Sequence, residues 1–146
     1  MQCMKQLFQF GVMNLKIKID FEDFDMFAFM KKHGLTTEDI TDIVSKASEK
    51  GAKIFAQYVP YDYKNRHNYH AVDYTKVSQI RIYPNAAYSD IGLLSQDWEK
   101  HKHVYFFNYD VSSEHYHWLN KARKAVEPVV LAEMRRLVEA KISSKN

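Results

Sequence analysis

The sequence predicts an α+β fold: a small antiparallel β-sheet packed by a long α-helix, with a second helix near the C-terminal end. Three observations carry this prediction. Leu15-Lys16-Ile17-Lys18-Ile19 alternates apolar and basic residues, the period-two signature of a strand. Ile40, Ile43, Val44, Ala47, Ile54, Phe55 and Tyr58 recur at helical spacing and end at Val59-Pro60. Trp118, Ala122, Ala125, Val129, Met134, Leu137 and Val138 form a second helical stripe.

A chain of 146 residues fits one domain. It can bury about two-thirds of its unfolded surface, enough for one core. Taken in order, residues 1–13 read as a loosely ordered N-terminal arm, with Met13 as a candidate alternative start. The opening residues contain only short apolar runs and no small-residue cleavage site, so neither a signal peptide nor a membrane span is expected there. Residues 14–142 form the domain, and 143–146 are expected to fray. After the first strand, Phe21, Phe24, Phe27, Ala28 and Met30 predict a short helix ending at Gly34, a C′ glycine. Thr36 or Thr37 caps the next helix, with Glu38 and Asp39 suiting its positive N-terminus. Gly51 inside that helix costs about 1 kcal/mol relative to Ala, a sacrifice that makes sense if the helix packs closely on the sheet. Proline stops the helix, because it lacks an N–H and clashes one turn back.

Residues 63–69 are polar and turn-like, and three short strand candidates follow: His70–Tyr74, Gln79–Tyr83 and Val104–Tyr109. Pro84-Asn85 is a turn signal. Residues 91–103 read as a long loop carrying an exposed Trp98, and loops of that length are usually functional or mobile. Ser112 or Ser113 begins the last helix. Pro128 lies inside it and predicts a kink or a break into two helices.

The chemistry-bearing residues assemble into no catalytic pattern. There is no G-x-S-x-G, Walker loop, G-x-G-x-x-G, H-E-x-x-H or C-x-x-C, and only four glycines to build a phosphate-cradling loop. The lone Cys3 excludes an intramolecular disulfide and has no fixed partner for thiol chemistry. The acidic cluster Asp20, Glu22, Asp23 and Asp25 lacks the calcium-loop spacing and reads as a solvated helix start. Histidines are the most suggestive group: His67 near His70, and the H-x-H pairs His101/His103 and His115/His117. Two strand residues in such a pair share a face and can hold a metal, whereas helical ones diverge by about 200°. With no carboxylate or cysteine completing any pair, no metal, cofactor or catalytic residue is expected.

The net charge is +3, and Lys and Arg are scattered with a modest accumulation in the last 26 residues. A dedicated nucleic-acid binder normally carries a clustered basic stripe. Aromatic residues reach 14%, with ten Tyr and nine Phe, which suits contact surfaces and base stacking alike.

Three segments together resemble a known family. They are Val59-Pro60-Tyr61-Asp62 after a long helix, Ile80-Arg81-Ile82-Tyr83-Pro84-Asn85-Ala86-Ala87-Tyr88, and Trp118-Leu119-Asn120-Lys121-Ala122 at the entry to the final helix. This arrangement resembles the minor capsid, or head–tail connector (tail-completion, neck), proteins of long-tailed bacteriophages, over roughly residues 14–142. The chain departs from the family where Tyr63-Lys64 replaces Thr-Gly after the motif, with no Leu close behind. The resemblance implies a non-catalytic structural virion protein, made in the host cytoplasm and placed in the neck. Such proteins form a homo-oligomeric ring, often a hexamer, between the head connector or stopper and the tail tube. It also implies non-specific contact with DNA in the channel and no membrane association. Ring contacts need aromatic groups outside the core, and Tyr58, Tyr61, Tyr63, Tyr69, Tyr74, Tyr88 and Trp98 are the candidates. The alternative is a small phage or plasmid protein that binds nucleic acid or inhibits a host factor, for which interleaved Tyr and Lys/Arg speak. A metal-dependent hydrolase is third.

Overall fold

The computed structural model describes residues 6–10, 14–19, 32–61, 70–83, 86–93 and 98–146. The expected helix over 21–34 and the acidic cluster fall almost wholly outside these residues, as do Asp62, Tyr63, His67, Tyr69 and the Pro84-Asn85 turn signal. Gly34 itself has φ 77°, the left-handed conformation that favours glycine.

The α+β expectation holds. Strands β1 (Gln6–Phe10), β2 (Asn14–Ile19), β3 (Thr75–Val77), β4 (Arg81–Tyr83) and β5 (Ala86–Leu93) form one antiparallel sheet. β5 is its spine. β2 pairs along one side of it, from Asn14 opposite Gly92 to Lys18 opposite Tyr88. β3 and β4 share the other side, with Val77 opposite Ile91 and Arg81 opposite Tyr88. Arg81 comes four positions after Val77, but their partners Tyr88 and Ile91 are three positions apart, so the strand carries one extra residue, a β-bulge. Ser78 repairs the ladder there. Its N–H donates to the Asp90 carbonyl at 2.8 Å, and its hydroxyl accepts from the Asp90 N–H at 2.7 Å. This shortens the expected Gln79–Tyr83 strand to three residues. His70–Tyr74, expected as a strand, is instead a 3-10 turn over Ala71–Tyr74. The expected N-terminal arm contains β1, which pairs with β2 from Gln6 opposite Ile19 to Phe10 opposite Leu15.

Helix α1 (Thr37–Ala56) begins with the predicted cap at Thr36. The Thr36 hydroxyl accepts from the Asp39 N–H at 3.2 Å, and the Asp39 carboxylate accepts from the Thr36 N–H at 2.9 Å, a reciprocal capping box. Ile40, Ile43, Val44, Ala47 and Phe55 are buried as expected, while Ile54 is only half-buried. Two further helices are described, α2 (Trp98–Phe106) and α3 (Trp118–Lys145). Residues 91–103 are therefore not one loop: 91–93 end β5 and 98–103 begin α2. Val104–Tyr109, expected as a strand, is the end of α2 and the turn after it. α3 is one helix of 28 residues with Pro128 inside it, so the chain does not break into two helices there. α3 continues to Lys145, within the tail that the sequence sets apart at 143–146.

α1 and α3 run antiparallel. Lys145 Nζ lies 3.1 Å from Asp39, and Lys141 Nζ 3.2 Å from Asp42, where α1 starts. Lys50 and Arg136 both hold Glu133 at mid-length, at 3.1 and 2.6 Å. At the far end the rings of Phe55 and Trp118 meet edge to face at 5.8 Å. Gly51 lies between the layers, facing Val126 and Val130 of α3 and Ile91 of β5. The close packing expected of this glycine is thus against both a helix and the sheet.

Candidate functional site

The helix-ending motif is a corner of the core that turns outward. Val59 and Pro60 are buried, while Tyr58 and Tyr61 on either side are exposed. The last turn of α1 tightens, with the Tyr58 N–H donating to the Phe55 carbonyl at 2.9 Å. Tyr61 then stacks on His70, with ring centroids 4.1 Å apart, and its hydroxyl lies 3.2 Å from His70 Nε2.

This stacked pair forms one wall of a cleft of about 330 Å³. The end of α2 and the turn that follows it supply the second wall, through His103, Val104 and Phe107. His103 and Phe107 are four residues apart, so they share a helical face and touch edge to face at 6.3 Å. α2 is held in place by two buried hydrogen bonds. The Tyr105 hydroxyl donates to the Leu93 carbonyl at 2.8 Å, and Trp118 Nε1 donates to the Val104 carbonyl at 2.8 Å. Burial pushes the Tyr105 phenol well above its ordinary range, so it stays a neutral donor.

The third wall is the turn Ser113–His115. The sequence places a helix start here; the serines instead hydrogen-bond locally. Asp110 accepts from the Ser112 N–H at 3.0 Å and from its hydroxyl at 2.7 Å, and these bonds hold its carboxyl below the usual range. The Ser113 hydroxyl accepts from the His115 N–H at 3.0 Å. The chain enters α3 through His117, whose φ of 60° is left-handed. Buried Asn108 does the capping from eleven residues upstream of Leu119. Its carbonyl accepts from the His117 N–H at 3.0 Å, and its side-chain oxygen accepts from the Leu119 N–H at 3.0 Å.

The fold therefore brings together one histidine from each of the three pairs noted in the sequence: His70, His103 and His115. His115 lies 5.8 Å from the Phe107 ring, and its Nε2 is 3.4 Å from Glu114. Glu114 is the sole carboxylate in the lining among the described residues, and its side chain is 86% exposed. His70 Nδ1 is buried with no hydrogen-bond partner among the described residues. No three His, Cys, Asp or Glu side chains of the described residues converge as a metal set. Among the described residues the arrangement is one of aromatic rings around a small volume with a single carboxylate in the lining.

The other interface candidates fare differently. Tyr88 is half-buried on β5, its ring 5.4 Å from Tyr83. Tyr74 is half-buried in the 3-10 turn. Trp98 begins α2, and its side chain, like Tyr63 and Tyr69, lies outside the described residues. The most exposed apolar groups were missed: Phe106 (58%), Tyr109 (65%) and Val111 (77%), all beside the cleft in sequence. The signal was the apolar run Val104–Phe107 passing into a polar turn, which a strand reading hides. Comparison with protein-family models, with characterised proteins and with solved structures finds no match to this chain.

Proposed function

We propose that this chain is a structural component of a tailed-phage particle, one copy of a ring in the neck that joins the head connector to the tail tube around the DNA channel. The observation that carries the reading is the set Phe106, Tyr109 and Val111, which are 58–77% exposed within six residues of one another beside a well-packed core. Apolar groups concentrated in this way mark a contact surface. Tyr58 and Tyr61 add to it, carried outward by the buried Val59-Pro60 of the family-like motif. Quantitative mass spectrometry of purified particles of the encoding phage is the test. The protein is expected at a ring's worth of copies per particle, with antibody label at the neck. Its absence from particles that retain their other head and tail proteins would refute the role.

The nucleic-acid reading draws on α3, which carries seven Lys and Arg against three Glu. Much of that surplus is spent inside the molecule. Lys141 and Lys145 pair with Asp39 and Asp42, and Arg136 pairs with Glu133. Lys121, Lys124 and Arg135 then remain on the exposed face of α3 for phosphates, and non-specific affinity scales with the number of phosphates neutralised. Weak, strongly salt-dependent DNA binding is expected, in keeping with passive contact in a channel.

A further inference from the structure

We propose that the cleft is the socket of a contact between copies of this chain, and that its plug is Arg135 of a neighbouring copy. The inference rests on the multi-copy reading above. The socket side follows from the walls. Tyr61, His70, His103, Phe107 and His115 line it with aromatic rings, and Glu114 adds the one carboxylate among the described residues. Aromatic faces attract a cation, arginine most often, and its planar guanidinium can stack on a ring while a carboxylate accepts from its N–H groups. A volume of about 330 Å³ is at the small end for a binding pocket, suited to one long side chain rather than a peptide.

The plug side follows from α3. Residues 121, 124 and 135 fall within about 60° of arc, opposite the buried Val126 and Val130. Among the described residues Arg135 makes no ion pair within 4 Å, whereas its neighbour Arg136 is bound to Glu133. Between Lys124 and Arg135 the same exposed face carries Pro128 and Ala132, small groups that allow a close approach. Phe106, Tyr109 and Val111, exposed three to eight positions before Glu114, supply apolar groups of the kind that exclude water around a plug.

Arg135 cannot enter its own cleft. It lies seventeen residues beyond the first residue of α3, about 26 Å along the axis, and the turn lining the cleft precedes that residue. Socket and plug are different surfaces, so a contact that each copy makes once to the next is heterologous and propagates from copy to copy until a rotation closes the ring.

Sedimentation velocity over a concentration series tests this on the full chain, using Arg135→Glu, Glu114→Arg and the double variant. Both positions are exposed, and circular dichroism melts are expected to match the parent. The parent is expected to associate, each single variant to need at least tenfold higher concentration, and the charge-swapped double to recover most of the loss. Single variants that associate like the parent overturn the socket while leaving the neck role intact. So does a double variant no better than the singles, because the two residues then do not meet. A parent that stays monomeric throughout also overturns the proposal, while the content of purified particles judges the neck role separately.

Discussion

Replacing Gly51 by alanine sets two opposed effects against each other, and the structure decides the sign. Alanine is better than glycine inside a helix by about 1 kcal/mol. A Cβ at position 51 would, however, stand 2.6 Å from Val130 Cγ2, 2.9 Å from Ile91 Cδ1 and 3.2 Å from Val126 Cγ1. Val130 and Ile91 are fully buried, and valine in a helix has essentially one χ1 rotamer, so the nearest atom cannot swing aside. Overpacking a core by one methyl typically costs about 1–3 kcal/mol, and two contacts under 3 Å place this case in the upper half of that range. Gly51→Ala should therefore lose about 1–2 kcal/mol net. For a chain of this length that lowers Tm by about 2–8 °C. Urea titration by circular dichroism measures it, and Val130→Ala in the same chain should reverse part of the loss, because it removes the clashing methyl. A Gly51→Ala variant more stable than its parent would show that α1 does not press on α3 and β5 at this point, and would refute the packing of the two layers.

Two further predictions follow from polar contacts. Asn108→Ala leaves the Leu119 N–H of α3 buried and unpaired and should cost about 1–2 kcal/mol, whereas Asn108→Asp keeps an acceptor in place and should retain most of it; paired urea midpoints decide. Acid should loosen the α1–α3 seam. The Glu133 carboxyl is lowered from 4.5 to about 2, chiefly by Arg136 and then Lys50. Asp39 is lowered from 3.8 to about 2 by the Thr36 N–H and then Lys145. Folded values below the unfolded ones mean that this stabilisation is fully present above pH about 4.5 and is lost as pH falls towards 2. Urea midpoints should drop across that window, and less steeply in Glu133→Gln; midpoints that stay flat from pH 5 to 2.5 would count against the seam.

What the sequence revealed depended on how local the cause was. The Thr36 cap was legible because Thr-x-x-Asp satisfies both partners within one turn. Gly51 stood out because an interior glycine in a strong helix needs a reason, and the reason is contact with Val130 and Ile91. The end of α1 was legible because proline acts on its own neighbours. α2 was misread because His103-Val104-Tyr105-Phe106-Phe107 is rich in β-branched and aromatic residues, and an apolar run that short fits strand or helix equally. What decides it is remote: Tyr105 reaches the Leu93 carbonyl, and Trp118 reaches the Val104 carbonyl. The start of α3 failed for the same reason, since its cap comes from Asn108 while the nearby serines serve a turn. The cleft was invisible in the sequence because its three histidines come from segments up to 45 positions apart, and no spacing rule links them.

The contact at Gly51 also has a consequence in time. α1 is complete early in the chain, yet the surfaces that cover its inner face, Ile91 and then Val126 and Val130, are synthesised much later. At about 5–20 residues per second, roughly eighty residues separate Gly51 from Val130, so this face waits some 4–16 s on the ribosome without its partner. The sheet waits too, because β2 depends on β5 across about seventy residues. A nascent chain in this interval carries the apolar side of α1 uncovered, a natural client for a holdase chaperone. Expression yield should then respond to chaperone supply even where the finished domain is stable.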